Sequence, residues 1–138
     1  MKTFKSHPAF LLLLLSLSWN LHSQNIDNKL VVKQIYDVLQ EKNVSFTAIK
    51  ILTPAINWND AEPGTDNFDK YKITLHSTMQ NKWQHLQFKD LKFEEPVENE
   101  VVVTGIIMGR QLTECEYILT RFKHSWYLKK GEITGFSE

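Results

Sequence analysis

Between Trp83 and Phe136 the chain reads as four β-runs joined by tight turns, and the patterned stretches before them read as helices. The runs are Trp83–Glu95, Glu100–Gln111, Glu114–Tyr127 and Glu132–Phe136. Helices first and a long meander afterwards specify an α+β domain, with N-terminal helices packed on one face of a curved antiparallel β-sheet. Such an arrangement leaves a pocket between helices and sheet. This order constrains the fold far more than it constrains the activity.

Within the β-region, Leu86 and Phe88 alternate, whereas Leu91 and Phe93 fall on the opposite parity. A bulge around Lys89-Asp90 reconciles the two pairs. Pro96–Asn99 makes the first turn, and Lys129-Lys130-Gly131 the last, where glycine can take positive φ. The second run is apolar on both faces: Val101, Val103 and Ile107 on one, Val102, Ile106 and Met108 on the other. A strand buried inside a monomer explains this, and so does a homodimer through the outer sheet face. Three short helices hardly cover both faces, which favours the homodimer.

Upstream, Ile26, Leu30, Val31, Ile35, Val38 and Leu39 recur at helical spacing, with Asp27 placed to cap and Lys42-Asn43 to stop. Ser45 reads as the cap of a short second helix carrying Phe46, Ile49 and Leu52, and Pro54 ends it. Ala55–Trp58 suggests a short strand and Asn59–Asp66 a loop. Phe68, Tyr71, Leu75 and Met79 outline a third helix, capped by Asp66 or Asn67. The β-branched Ile73, Thr74 and Thr78 weaken it, and a strand is the alternative there.

Met1–Ser23 has the form of a secretory signal peptide. Lys2 and Lys5 precede an apolar run, Ala9–Leu17, too short to span a bilayer. Cleavage is expected before Gln24, with Ser18 as the rival site, leaving residues 24–138 as one exported domain, periplasmic or secreted. With Lys2 and Lys5 gone, 14 basic residues face 16 acidic ones, a net charge of −2. That balance points to no nucleic acid, and after cleavage no membrane anchor is left. Cys115, the single cysteine, forms no internal disulfide and sits between two glutamates that disfavour a thiolate.

The order helix, helix, short strand, helix, meander ends in Phe122-x-x-x-Trp126-x-x-x-x-Gly131-Glu132-Ile133. In this it resembles the nuclear-transport-factor-2-like superfamily, and within it the SnoaL-like and ketosteroid-isomerase-like branches, over about residues 26–137. Glu132 departs from the lysine usual in the "Gly-Lys-Ile" ending. The resemblance implies a cone-shaped, cystatin-like fold with one deep pocket, and usually a dimer. It also implies a comparison with ketosteroid isomerase, which uses a carboxylate base and an oxyanion hole of a tyrosine and a protonated aspartate. Tyr36 matches the tyrosine and Asp60 falls near the base. The late aspartate is missing, with Lys123 and His124 in that neighbourhood.

Two classes of function follow. One is an exported domain that binds a small apolar ligand, lined by Trp58, Phe122 and Trp126 and lacking a full catalytic set. The other is an isomerase, lyase or hydrolase with Asp60 as base, His124 as proton donor and Tyr36 polarising an oxygen. A cross-strand histidine without chemistry is the plainer account of His124. Arg110 and Arg121 suit a carboxylate, or surface pairing with Glu114 and Glu116. His76, His85 and Cys115 do not space as a metal set, and no cofactor motif is present.

Overall fold

A computed structural model describes residues 26–60 and 69–138. The signal segment, the Asp66 and Asn67 caps and Phe68 lie outside these residues. Helix α1 spans Asn28–Leu39, and the Asp27 carboxylate accepts the Lys29 N–H at 3.0 Å. Its buried stripe is Val32, Ile35, Tyr36 and Leu39. Leu30 and Ile26 are exposed, contrary to the sequence expectation, because at about 100° per residue Leu30 falls opposite that stripe. The helix also stops earlier than expected, with Gln40 as C-cap, and Asn43 does not adopt positive φ.

Helix α2 spans Phe46–Leu52, where Ser45 Oγ accepts the Ala48 N–H as its sequence position predicts. The strand expected at Ala55–Trp58 is a turn instead. Pro54 occupies the second position of a β-turn closed by the Ile56 N–H on the Thr53 carbonyl at 3.1 Å. Thr53 Oγ1 donates back to the Ile49 carbonyl and accepts from Trp58 Nε1, which draws the indole into the core.

The third helix is much shorter than its apolar spacing suggested. Helix α3 covers only Leu75–Met79. Asp69 Oδ1 takes the Tyr71 N–H at 2.8 Å, and Thr74 forms a capping box with Ser77. Local side-chain bonds thus set a turn at Asp69 and a helix start at Thr74. Tyr71 is left 70% exposed, outside the core.

The sheet is an antiparallel meander in the order β1-β2-β3-β4, with β1 Trp83–Val97, β2 Glu100–Gln111, β3 Ile118–Lys129 and β4 Glu132–Ser137. Pairing on β1 shifts between Lys89 and Lys92, where Asp90 has φ 54°, the bulge that the parity change required. A second shift between Gln84 and Gln87, with His85 at φ 55°, had no such signature. Each bulge faces a glycine on β2. A Cβ on Gly105 would lie 2.9 Å from the Lys89 carbonyl oxygen and 3.1 Å from Leu91 Cδ2; Gly109 meets Leu86 Cδ2 in the same way. The missing side chains let Leu86 and Leu91 turn inward beside Phe88 and Phe93.

Strand β3 starts at Ile118 and not at Glu114. Gln111 ends β2, and the Glu114 N–H on the Gln111 carbonyl makes a turn, so Glu114–Tyr117 has no ladder partner. Lys130 and Gly131, at φ 51° and 76°, form the two-residue turn into β4. The helices pack on one sheet face, where Val101, Val103, Ile107, Trp126, Leu128 and Ile133 are buried. On the other face Leu119, Arg121, Lys123 and Tyr127 are exposed, and Val102, Ile106 and Met108 form a narrow apolar strip between them and β1.

Candidate functional site

Alternation on β3 turns Phe122, His124 and Trp126 toward the helices, and α1 delivers Tyr36 against them. Tyr36, His124 and Trp126 have no exposed surface. Trp126 Nε1 lies 3.0 Å from Tyr36 Oη, which is 2.7 Å from His124 Nδ1. The indole has only a donor to offer, so Tyr36 accepts from it and directs its own hydrogen to His124. That assigns Nδ1 as acceptor and places the imidazole proton on Nε2.

Beyond His124 stands Glu138, whose side chain is 8% exposed although its terminal backbone is open. Its Oε2 lies 3.3 Å from His124 Nε2, an ion-pair distance without hydrogen-bond alignment, so the link is electrostatic and not a directed bond. The same carboxylate accepts the Leu75 N–H at 2.7 Å, the His76 N–H at 3.1 Å and His76 Nδ1 at 3.0 Å. It thereby ties the end of β4 to the first turn of α3, whose N–H groups point out of the helix and favour a negative charge. Nothing local in the sequence marked Glu138 for this place.

Burial is the main influence on both ionisable rings. It pushes the Tyr36 hydroxyl far above its ordinary range; the Trp126 donor opposes this and the Glu138 charge adds to it. For His124 burial lowers the pKa, Glu138 opposes that, and His76 reinforces it. A histidine harder to protonate in the folded state takes its proton more readily when unfolded. Its contribution to stability is therefore complete above the unfolded pKa, about 6.5, and is lost as pH falls from there toward the folded value. The expected loss is at most about 1.4 kcal/mol per pH unit. Urea midpoints measured across this range should fall with acid in the parent chain and fall less in His124→Phe. Equal slopes would show that His124 is not the group responsible.

Around this chain lies an aromatic cluster. Trp58 packs on His76 (5.1 Å between centroids) and Phe136 (5.3 Å), and Phe136 packs on Trp126 (4.5 Å). Phe122 lies over His124 at 4.2 Å and stacks with Tyr36 at 6.3 Å. His76 and Phe136, partly exposed, carry the cluster to the surface.

Five of the six sequence candidates, Tyr36, Trp58, Phe122, His124 and Trp126, are thus neighbours in one aromatic assembly. Asp60 is not among them. It is exposed in the turn after Trp58, its N–H on the Asn57 carbonyl, and its carboxylate touches neither Tyr36 nor His124. Arg110 donates to His85 Nε2 at 3.1 Å and lies over the Tyr117 ring instead of pairing with Glu114 or Glu116. Cys115 is exposed, and no three His, Cys, Asp or Glu side chains converge among the described residues. Comparison with protein-family models, curated proteins and solved structures finds no match to this chain.

Proposed function

We propose that this chain is an exported, single-domain binding protein of nuclear-transport-factor-2-like build, which takes a small apolar ligand at the surface edge of the aromatic cluster, on His76 and Phe136, with the buried Trp58 and Trp126 rings behind them. One observation carries the reading. The groups suited to acid–base work, Tyr36 and His124, bond to each other at zero exposure, while the rings beside them extend to the surface through His76 and Phe136. A general base must reach a substrate proton within hydrogen-bond distance, which this packing denies His124. Rings with a few fixed polar neighbours are what an apolar ligand requires.

The neutral fluorophore N-phenyl-1-naphthylamine tests the proposal. Its emission should rise saturably with protein, and Phe136→Ala should weaken binding about tenfold, the effect of losing one large ring contact. A non-saturating response, or one indifferent to Phe136→Ala and Trp58→Phe, would rule out this site. Turnover of hydrophobic ketones that disappears in His124→Gln would favour the acid–base reading instead.

A further inference from the structure

On the sheet face turned away from the helices, the strand register gathers positive charge. Lys89, Ile106 and Arg121 are cross-strand neighbours, and Lys92, Thr104 and Lys123 form the next row. Two residues along a strand span roughly 7 Å and two strand spacings about 10 Å, so the four cations mark the corners of a small rectangle. All four are exposed, and none of their side chains makes an ion pair or hydrogen bond with another described residue. A shallow groove of about 330 Å³ opens there, lined by Asp90, Lys92, Thr104, Ile106 and Arg121 together with Gly105 and Phe122. The bulge at Asp90 creates it by lifting β1 out of register.

We propose that this groove binds the dianionic phosphoryl group of a small molecule. Lysine and arginine side chains reach several ångströms, so all four heads can converge on one group over the centre of the rectangle. Arg121 supplies a planar fork for two oxygens, the lysines supply point charges, and the Thr104 hydroxyl supplies a neutral donor. Like charges set this close repel one another on an otherwise near-neutral protein, and a bound dianion relieves that repulsion. Asp90, the one acid in the lining, opposes a bare anion but accepts a hydroxyl hydrogen from an ester's organic part. A second copy of the chain on this face would bring four more cations against these four.

The test is an amide chemical-shift titration with inorganic phosphate and, separately, glycerol phosphate, at fixed ionic strength and a pH where both are doubly charged. Saturable shifts are expected at Thr104, Gly105 and Ile106, and the tighter ligand of the two tells free phosphate from an ester. Arg121→Gln and Lys123→Gln should each weaken binding about threefold to tenfold, as expected for exposed charge-assisted contacts. Asp90→Asn should tighten inorganic phosphate binding, and asparagine tolerates the positive φ at that position. These positions are exposed, so the variants should remain folded. Linear shifts spread equally to Lys33 and Lys50, affinities indifferent to Arg121, or the same amides moving on protein dilution as a dimer separates would each overturn the proposal.

Discussion

Trp126→Ala is expected to lower the melting temperature by roughly 15 °C or more. Trp126 has no exposed surface and packs edge-on against Tyr36 and Trp58 and closely against Phe136. Its truncation opens a cavity where α1, β3 and β4 meet. Removing a buried tryptophan costs about 3–5 kcal/mol, a large part of the 5–15 kcal/mol that holds an ordinary domain together. In a domain of about this size each 1 kcal/mol moves the midpoint by roughly 4 °C. Thermal unfolding followed by far-ultraviolet circular dichroism reads this directly. A shift below about 5 °C would mean that the indole is not the keystone its packing indicates.

Tyr36→Phe is the second large effect, and it separates hydrogen bonding from packing. The ring and its contacts with Phe88, Phe93 and Phe122 are retained. Only the hydroxyl goes, and among the described residues it alone bridges Trp126 Nε1 and His124 Nδ1. Each buried polar atom left without a partner costs about 1–3 kcal/mol, so the pair should cost roughly 2–6 kcal/mol in urea denaturation. If the tyrosine served only as a hydrophobic ring, phenylalanine would be neutral or stabilising. Pairing the substitution with His124→Leu adds a second check. With the acceptor also removed, the double variant should lose less than the sum of the two single losses, by about 0.5–3 kcal/mol.

Where the sequence was informative, the relevant physics is local. Asp27 and Ser45 cap helices through N–H groups only two or three residues away, so their roles are visible in the chain itself. The Lys130-Gly131 turn and the parity change that marks the Asp90 bulge are equally short-range, as is the alternation that turns Phe122, His124 and Trp126 to one side. Helices followed by an antiparallel meander are therefore legible in the chain itself. His124 and Trp126 could be nominated together because they share a strand face with Phe122, whereas Tyr36 could be nominated through the family resemblance alone.

The misreadings arose where two local forces compete, or where a partner is distant in sequence. Apolar spacing around Tyr71 argued for a helix, but the Asp69 turn and the Thr74 capping box satisfied the backbone first. Asp60 stood near a presumed strand that Pro54 turned into a β-turn, which left its carboxylate in solvent. Glu138 had no pattern to betray it. Its meeting with His124 and α3 depends on β4 pairing along β3 and on where that pairing ends. The cation rectangle likewise has no one-dimensional signature. Lys89 and Arg121 are separated by 32 residues, and only the register, with its bulge at Asp90, makes them neighbours across Ile106. Element type, capping and the alternation of each strand's side chains depend on bonds a few residues long, so they are legible in the chain alone. Which polar groups share a proton chain in the core, and which charges face one another on the open sheet, depend on how far one strand slides against the next, and that follows only from the packed fold.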